Sequence, residues 1–423
     1  MIRKLKIKSE FGRNVVTLVT GTAIAQILAI VASPILTRLY TPDDFGILAL
    51  FISISSVLSI AVCGRYELAI MLPKKDKYAI NIFALGFVIA CFVSILFLIL
   101  FTIFNDLFTK LFNNQKISFW LYFIPLFVFF SGLFNLLSYF NNRTKNYIDL
   151  KNATIIKSAV IVIVQIGAGF MKIGVSGLII GMIISSLSAN IRLLKNVVKN
   201  KILISSISKI KMIALAKKYK NFPKYSIGAH TIETLSGSMH IILFSSFFDA
   251  SVVGFLFLTE RCLNLPISVI SGAIARVFFQ NASVEYTNHS ECVNLYKTLF
   301  KKLFLFALIP LVLVFLFAPF VFSVIFGEEW RVAGEYARIL SMLYFVRFIH
   351  SPLSVMYMIA QKQKIELYWQ IYLFVSLAGA ISLGYFLSKD VLITLSCFTV
   401  AYLIAYIINI ILTYSFAKGK LVK

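Results

Sequence analysis

The sequence predicts an all-α polytopic membrane protein of about twelve transmembrane helices, and three observations lead to this prediction. The 423 residues are 60% hydrophobic, with a mean hydropathy of +0.90, which is far more apolar than a soluble domain of this size. Runs of roughly 18 to 25 apolar residues recur, and a hydrocarbon core about 30 Å thick needs about 20 helical residues per crossing. A basic stretch separates these runs into two similar blocks. A β-barrel would instead show short alternating segments.

The basic stretch runs from Arg192 to Lys224 and carries ten Lys or Arg residues and no Asp or Glu. Basic connections stay on the cytoplasmic side of a membrane. The chain therefore divides into an N-terminal six-helix bundle at 1–191, a cytoplasmic linker at 192–224 and a C-terminal six-helix bundle at 225–423. Residues 209–220 form either an amphipathic helix on anionic lipid headgroups or a solvated basic loop. The sequence leaves both interpretations open.

In the first block, a charged or turn-forming segment bounds each apolar run. The first run follows a basic N-terminus without an A-x-A-like cleavage site, which indicates a retained helix rather than a signal peptide. Residues 38–44, residues 102–116 and a turn near Lys172 form the predicted outer connections. The predicted helices are 15–37, 45–63, 79–101, 117–140, 153–170 and 174–191.

The second block repeats this arrangement after the linker. Its predicted outer connections are a turn near Asp249, residues 327–338 and a turn near Lys389. All of them are short, so no extracytoplasmic domain is predicted. The predicted helices are 225–248, 252–280, 303–326, 339–360, 367–388 and 391–416.

The net charge of +24 is explained by position. Most of the 41 Lys and Arg residues fall in the alternate connections that include both termini, which predicts cytoplasmic termini. We therefore infer no nucleic-acid partner. The five cysteines show no CxxC pair, so neither a disulfide framework nor a metal site is predicted. No cofactor and no catalytic residue is predicted, and without a GxxxxGK[ST] motif the chain does not hydrolyse ATP itself.

Three motifs go beyond composition. RLYTPDDFG at 38–46 lies between helices 1 and 2, GRYELAIMLP at 64–73 follows helix 2, and FGEEWRVAGEYARIL at 326–340 lies between helices 9 and 10. In this order and at these places, they resemble the polysaccharide flippases of the Wzx type, which belong to the multidrug/oligosaccharidyl-lipid/polysaccharide exporter superfamily. The resemblance covers essentially the whole chain.

The resemblance implies a V-shaped pair of six-helix bundles around a central cavity, working by alternating access in the bacterial inner membrane. The implied substrate is an oligosaccharide on undecaprenyl pyrophosphate, moved from the inner to the outer leaflet for O-antigen or capsule assembly. A polysaccharide polymerase and chain-length machinery are possible partners. The motif positions have mainly architectural roles in this interpretation, at Arg38, Pro42, Gly46, Arg65, Glu67, Gly327 and Trp330.

Ionisable side chains inside helices are costly unless they face a cavity or a partner, so they are the candidate substrate ligands. Arg261, Arg347 and Lys157 are predicted to pair with pyrophosphate or an acidic sugar, and the two arginines rank first because guanidinium binds phosphate in a bidentate way. Arg65 and Arg276 are predicted nearer the cytoplasmic mouth. The remaining polar candidates for the cavity wall are Gln26, Asn135, Asn264 and His350.

Proton or sodium coupling is predicted for Glu233 with His230, because an embedded carboxylate can change its charge with access. His230, Glu233, Gly237 and His240 share one face of helix 7, and His240 and Glu260 are further candidates. The alternatives remain open: small polar residues often hold membrane helices together, Lys157 and Arg276 can snorkel to the interface, and a buried His is often structural.

The sequence also bears on other classes of function. A membrane enzyme is disfavoured because the Asp43–Asp44 pair is predicted outside, and no large outer loop is present. A multidrug extruder of the same fold would favour an acidic cavity, whereas the charges inside helices are mostly basic. The charges inside the helices do not distinguish a peptidoglycan-precursor flippase from a flippase of the O-antigen or capsule type. A scaffold for polysaccharide assembly is a third interpretation.

Overall fold

The computed structural model of the protein describes residues 10–419, apart from the side chains at 10–15, 229, 265, 266, 268 and 269. Over these residues the chain is helical with turns and contains no strand, which confirms the all-α prediction. The chain forms two compact units, residues 1–234 and residues 235–423.

The first unit contains most of the chain's short helices. The π-helix Phe222–Ser226 leads into α12, which crosses from the first unit into the second. The helices that begin in this unit are α1 (Glu10–Leu39), α2 (Pro42–Ser59), α3 (Tyr66–Ala69), α4 (Asp76–Ile103), α5 (Asn105–Leu111), α6 (Ile117–Leu121), α7 (Ile124–Arg143), α8 (Tyr147–Phe170), α9 (Val175–Val198), α10 (Lys201–Ser205), α11 (Lys209–Lys218) and α12 (Ile227–Phe247).

The second unit is built around α15, which packs against α13, α14 and α18. A 3₁₀ turn at Glu328–Trp330 precedes α15. The helices are α13 (Ala250–His289), α14 (Val293–Phe326), α15 (Arg331–Leu353), α16 (Met356–Ile359), α17 (Gln363–Ser388) and α18 (Val391–Ala417).

Ten helical segments among the described residues are long and apolar enough to cross a membrane. They correspond to ten of the twelve predicted spans. The other two predicted spans coincide with α12 and α13, which are helical over the expected residues but are not among the ten. The count of twelve therefore stays a prediction, while the multi-pass membrane architecture is confirmed.

Two predicted helices are interrupted. Residues 117–140 form α6 and α7, and Pro125 stands in the first turn of α7, where its missing N–H costs nothing. Residues 339–360 form the end of α15 and α16. Several other helices extend beyond their apolar runs; α9, for example, continues through Val198.

Contacts in the first unit show that successive connections alternate between its two ends. At one end Lys116 lies 3.8 Å from Asp43, which joins the predicted outer connections. At the other end the Arg143 guanidinium lies 2.9 Å from Asp76. Each long helix carries the chain from one end of the unit to the other, so the short turns between them alternate between the two ends.

The RLYTPDDFG motif contains the start of α2. The Thr41 hydroxyl accepts from the Asp44 N–H while the Asp44 carboxylate accepts from the Thr41 N–H, so that both residues form a capping box. Pro42 stands in the first turn of α2. The Tyr40 hydroxyl donates to the Gln165 carbonyl at 2.6 Å, which ties the turn to α8. These contacts support the architectural interpretation of this motif.

The FGEEWRVAGEYARIL motif packs α15 against α14. Gly327 has a φ of 111°, which glycine adopts without strain, and Trp330 is buried edge-on against Phe255. Pro319 removes the N–H that would bond to the Phe315 carbonyl. The Arg338 Nε atom donates to that carbonyl at 2.9 Å instead.

Candidate functional site

A polar pocket of about 110 Å³ lies within the second unit. It is lined by side chains of four helices, and two of them, Glu260 and Arg347, are charged. The lining residues are Gly237, His240, Glu260, Asn264, Leu343, Tyr344, Arg347, Phe398 and Tyr402.

Helical spacing explains why these side chains meet. Each helix contributes residues three or four apart, which share one face: Gly237 and His240 on α12, Glu260 and Asn264 on α13. On α15 and α18 the corresponding pairs are Tyr344 with Arg347 and Phe398 with Tyr402. A Cβ atom on Gly237 would meet nothing within 4 Å, so this glycine leaves the α12 side open.

The pocket lies between the two ends of the helices that line it. At a rise of 1.5 Å per residue, Glu260 is about 15 Å from the start of α13 and Tyr402 about 17 Å from the start of α18. Arg347 is about 24 Å from the start of α15 and about 9 Å from its end. Because α15 and α18 belong to helical segments long and apolar enough to cross a membrane, these distances place the pocket within the membrane-spanning part of the second unit.

The side chains of His240 and Glu260 form a close polar pair in this pocket. The His240 Nε2 atom lies 2.8 Å from one Glu260 carboxylate oxygen and 2.9 Å from the other. The His240 side chain is only 8% exposed and that of Glu260 22%. A buried carboxylate is stable only when it is paired, and His240 is the partner of Glu260 here.

Arg347 faces the same pocket without a hydrogen-bonding partner among the described residues. Its guanidinium lies 5.7 Å from the centre of the Tyr344 ring, a cation–π contact. Glu260, Tyr402 and Tyr406 are within electrostatic range of the charge. The donors of Arg347 therefore remain available to an anionic group in the pocket.

A second, apolar cavity of about 230 Å³ lies between α13, α14 and α15. Tyr344 lines both this cavity and the polar pocket. The apolar cavity opens at α14, where Phe306 is 58% exposed. Its other lining residues are Cys262, Leu263, Ile267, Ile270, Ala307, Pro310, Leu311, Val314, Ser341, Phe345 and Phe348.

Some of the predicted residues of the second unit line the polar pocket, and others lie elsewhere. Arg347, Asn264, His240 and Glu260 come together in the polar pocket, whereas Arg261, half-buried on α13, is not in its lining. The exposed Arg276 donates to the Gly272 carbonyl of its own helix at 3.1 Å. His350 is buried, with its ring 4.7 Å from the Tyr406 ring and 5.6 Å from the Trp369 ring.

The predicted residues of the first unit do not form one cluster. His230 and Glu233 pair at 3.0 Å, but both side chains are largely exposed at 46% and 58%. Arg65 lies 3.4 Å from the buried Glu67. The remaining three are on separate helices: Gln26 is half-buried on α1, Asn135 is exposed on α7, and the Lys157 Nζ atom on α8 lies 4.8 Å from the Phe134 ring.

Sequence reasoning missed the aromatic wall of the pocket. Tyr344, Phe398 and Tyr402 line it, but each resembles an ordinary apolar membrane residue in sequence. One available signal was the spacing of Tyr344 three residues before Arg347, which places both on one helical face. Among the described residues, no group of three or more His, Cys, Asp or Glu side chains could hold a metal ion.

Comparisons with known proteins give a family and a fold. A family model described as polysaccharide biosynthesis protein matches residues 35–335, which is well over half of the chain. No curated protein matches the chain. Solved structures of transporters match the chain, and these matches show its fold.

An inward-facing multidrug resistance MATE family transporter of the MOP superfamily matches with a TM-score of 0.73 at 15% identity, covering 94% of this chain and 97% of that one. The lipid II flippase MurJ matches with a TM-score of 0.72 at 15% identity, covering 94% and 86%. A point mutant of the Vibrio cholerae MATE transporter VcmN matches with a TM-score of 0.60 at 15% identity, covering 95% of each chain.

Proposed function

Because the chain belongs to the polysaccharide biosynthesis protein family and has the fold of MOP-superfamily transporters, we propose that it flips undecaprenyl-pyrophosphate-linked oligosaccharides. The movement runs from the inner to the outer leaflet of the cytoplasmic membrane by alternating access, for O-antigen or capsule assembly. The observation that carries this proposal is the Arg347 guanidinium, which faces a polar pocket inside the second unit with its donors unpaired among the described residues.

Arg347 recognises the anionic part of the substrate. Guanidinium donors bind phosphate oxygens in pairs, and such charge-assisted bonds are strong away from water. The pocket of about 110 Å³ has the volume of about four water molecules. It therefore accommodates a single phosphate or carboxylate group, while the sugars extend beyond it.

The His240–Glu260 pair adjusts the charge of the pocket. When the His240–Glu260 pair holds the proton, its two charges cancel. The pocket then carries the positive charge of Arg347, which attracts the anion. After deprotonation, Glu260 competes with the anion for Arg347, since both lie in the same pocket. Proton exchange at this pair is our candidate for coupling, and it replaces the exposed His230–Glu233 pair as the first choice.

The lipid part of the substrate has a place on the other side of Tyr344. The apolar cavity there opens at the exposed Phe306 and so accepts a hydrocarbon chain from the membrane. An ordinary phospholipid keeps its charged group at the interface, whereas a lipid in transit carries its charged group through mid-membrane. A cationic pocket adjoining an apolar cavity at that depth suits the second kind of ligand.

The test uses purified protein in vesicles loaded with the lipid-linked oligosaccharide, and a membrane-impermeant hydrolase reports the accessible leaflet. We expect the Arg347→Gln variant to flip at least about tenfold more slowly, since a hydrogen bond to a charged group contributes about 1.5–3 kcal/mol. Arg276→Gln is the matched control, because the exposed Arg276 bonds only to its own helix, and it should flip normally.

Two results would oppose this proposal. Unchanged flipping by Arg347→Gln would remove the pocket from the mechanism. Absence of flipping by the unmodified protein, together with export of cationic dyes or flipping of a peptidoglycan precursor, would favour a multidrug extruder or a precursor flippase of the same fold.

A further inference from the structure

Large apolar side chains lie exposed on the linker, outside the membrane-spanning segments. Ile202 on α10 is 83% exposed and Ile210 on α11 is 80% exposed. Ile213, one turn further along α11, is 48% exposed. Ile210 and Ile213, three residues apart on α11, form an exposed apolar patch, and such a patch indicates an interaction surface.

Lysines flank these isoleucines, and one of them shares their face. Ile210, Ile213 and Lys217 are three and four residues apart, so they lie on one side of α11. Lys201, Lys209, Lys217 and Lys218 are all exposed. A helix with apolar and basic residues on one exposed side is typical of helices that lie in the headgroup region of a membrane.

A groove at the end of α9 precedes these two helices in the chain. It is lined by the apolar side chains of Ile191, Leu194 and Val198 and by Lys195 and Lys199, which lie on one face of the helix. The opposite face, with Leu193 and Val197, is buried in the unit. The groove therefore combines hydrocarbon contacts along the helix with two ammonium groups near its end.

Hydrogen bonds hold the linker helices against α3 and α4 and fix which side is exposed. The Asn81 amide is fully buried, donates to the Ser206 carbonyl at 3.1 Å and accepts from the Ser208 N–H at 2.8 Å. The Tyr66 hydroxyl donates to the Ala216 carbonyl at 3.2 Å. Because Asn81 lies about 8 Å from the start of α4, α10 and α11 sit at the end of the membrane spans.

We propose that the α9 groove together with α10 and α11 forms a binding surface for anionic phospholipids of the adjoining leaflet. Lysines attract the headgroup phosphates, Ile202 and Ile210 enter the interface, and the groove holds an acyl chain. The carboxylate of Asp149, whose negative charge would repel the headgroup phosphates, pairs with Arg192 at 2.6 Å. The exposed isoleucines favour a lipid over a nucleic acid, whose backbone offers no apolar contact. This inference does not depend on the transported substrate.

The experiment compares hydrogen exchange of residues 199–218 in full-length protein, reconstituted in nanodiscs of phosphatidylcholine alone or mixed with phosphatidylglycerol. We expect slower exchange with phosphatidylglycerol, and the difference should shrink at high salt. In the Lys201→Gln/Lys209→Gln/Lys217→Gln variant, each lost charge should weaken the protection about fivefold, since a lysine near an anionic surface contributes about 1 kcal/mol. Ile202→Ser/Ile210→Ser should lower the protection in both lipids.

Lys110→Gln/Lys172→Gln is the matched control, because both lysines are exposed in connections at the other end of the unit. It should exchange like the unmodified protein. Equal exchange of the unmodified protein in the two lipids would overturn the proposal, as would a triple-lysine variant that keeps the full phosphatidylglycerol effect. Retained phosphatidylglycerol, counted by native mass spectrometry, is an independent readout expected to fall in the lysine variant.

Discussion

Arg347 and Arg261 show how much a single residue's direction matters. Both are arginines inside long helices, yet only Arg347 lines the polar pocket. Arg347 shares its helical face with Tyr344, whose ring faces the guanidinium. The sequence made the two arginines equal candidates, and the rotation of α13 and α15 about their own axes separated them.

A second residue with an unusual environment is Glu67, in α3 outside the membrane spans. Burial raises the pKa of its carboxyl above the ordinary 4.5, while a backbone hydrogen bond and the charges of Arg65 and His230 oppose the rise. Since the folded chain then binds the proton more tightly than the unfolded chain, the resulting stability is present at acid pH and is lost as pH rises through the folded pKa.

We therefore expect Glu67→Gln to flatten the pH dependence of stability. The unmodified protein should lose thermal stability between about pH 4.5 and neutral pH faster than the variant. Unfolding temperatures in detergent across that range would measure this. A steeper dependence in Glu67→Gln would mean that the ion pair with Arg65, at 3.4 Å, outweighs burial.

At the scale of elements, close helix contacts depend on single glycines. A Cβ atom on Gly334 of α15 would lie 2.4 Å from the Pro319 Cα atom and 2.6 Å from the Ala318 carbonyl oxygen of α14. These are backbone atoms, which cannot move aside as the end of a side chain can. Small residues at helix interfaces allow such close packing in membranes.

Gly334→Ala should destabilise the second unit by about 1–3 kcal/mol, because overpacking forces the helices apart. Gly379→Ala on α17 is the control, since its Cβ atom would meet nothing within 4 Å. That substitution should be neutral or stabilise by up to about 1 kcal/mol through helix propensity. Thermal unfolding of the two variants measures the difference. Equal unfolding temperatures would show that α14 and α15 are not held this closely.

The linker shows a limit of sequence reasoning for elements. Its composition predicts a basic segment, and residues 209–220 fit both an amphipathic helix and a loop. The structure contains helix α11 at Lys209–Lys218, held by Asn81 and Tyr66. No local pattern predicts these bonds, because their partners are more than 100 residues apart in the chain.

At the scale of the whole molecule, the basic connections predict that both termini are cytoplasmic. A green fluorescent protein fused to the C-terminus should then fluoresce, and alkaline phosphatase fused after Lys172 should be active. The physical reason is the retention of Lys and Arg on the cytoplasmic side. Active phosphatase at the C-terminus would reverse the orientation and with it the proposed direction of transport.

The sequence by itself determined the class, the family resemblance and the position of nearly every long helix. Those properties follow from local quantities: a span needs about 20 apolar residues, and Pro42 or Gly327 acts on its own turn. Tertiary structure alone decided that His240 meets Glu260, that Tyr344 separates a polar pocket from an apolar cavity, and that His350 packs between aromatic rings. Apolar helices can pack on several faces with similar free energy, so the partners of a polar side chain emerge only when all helices of a unit are packed together.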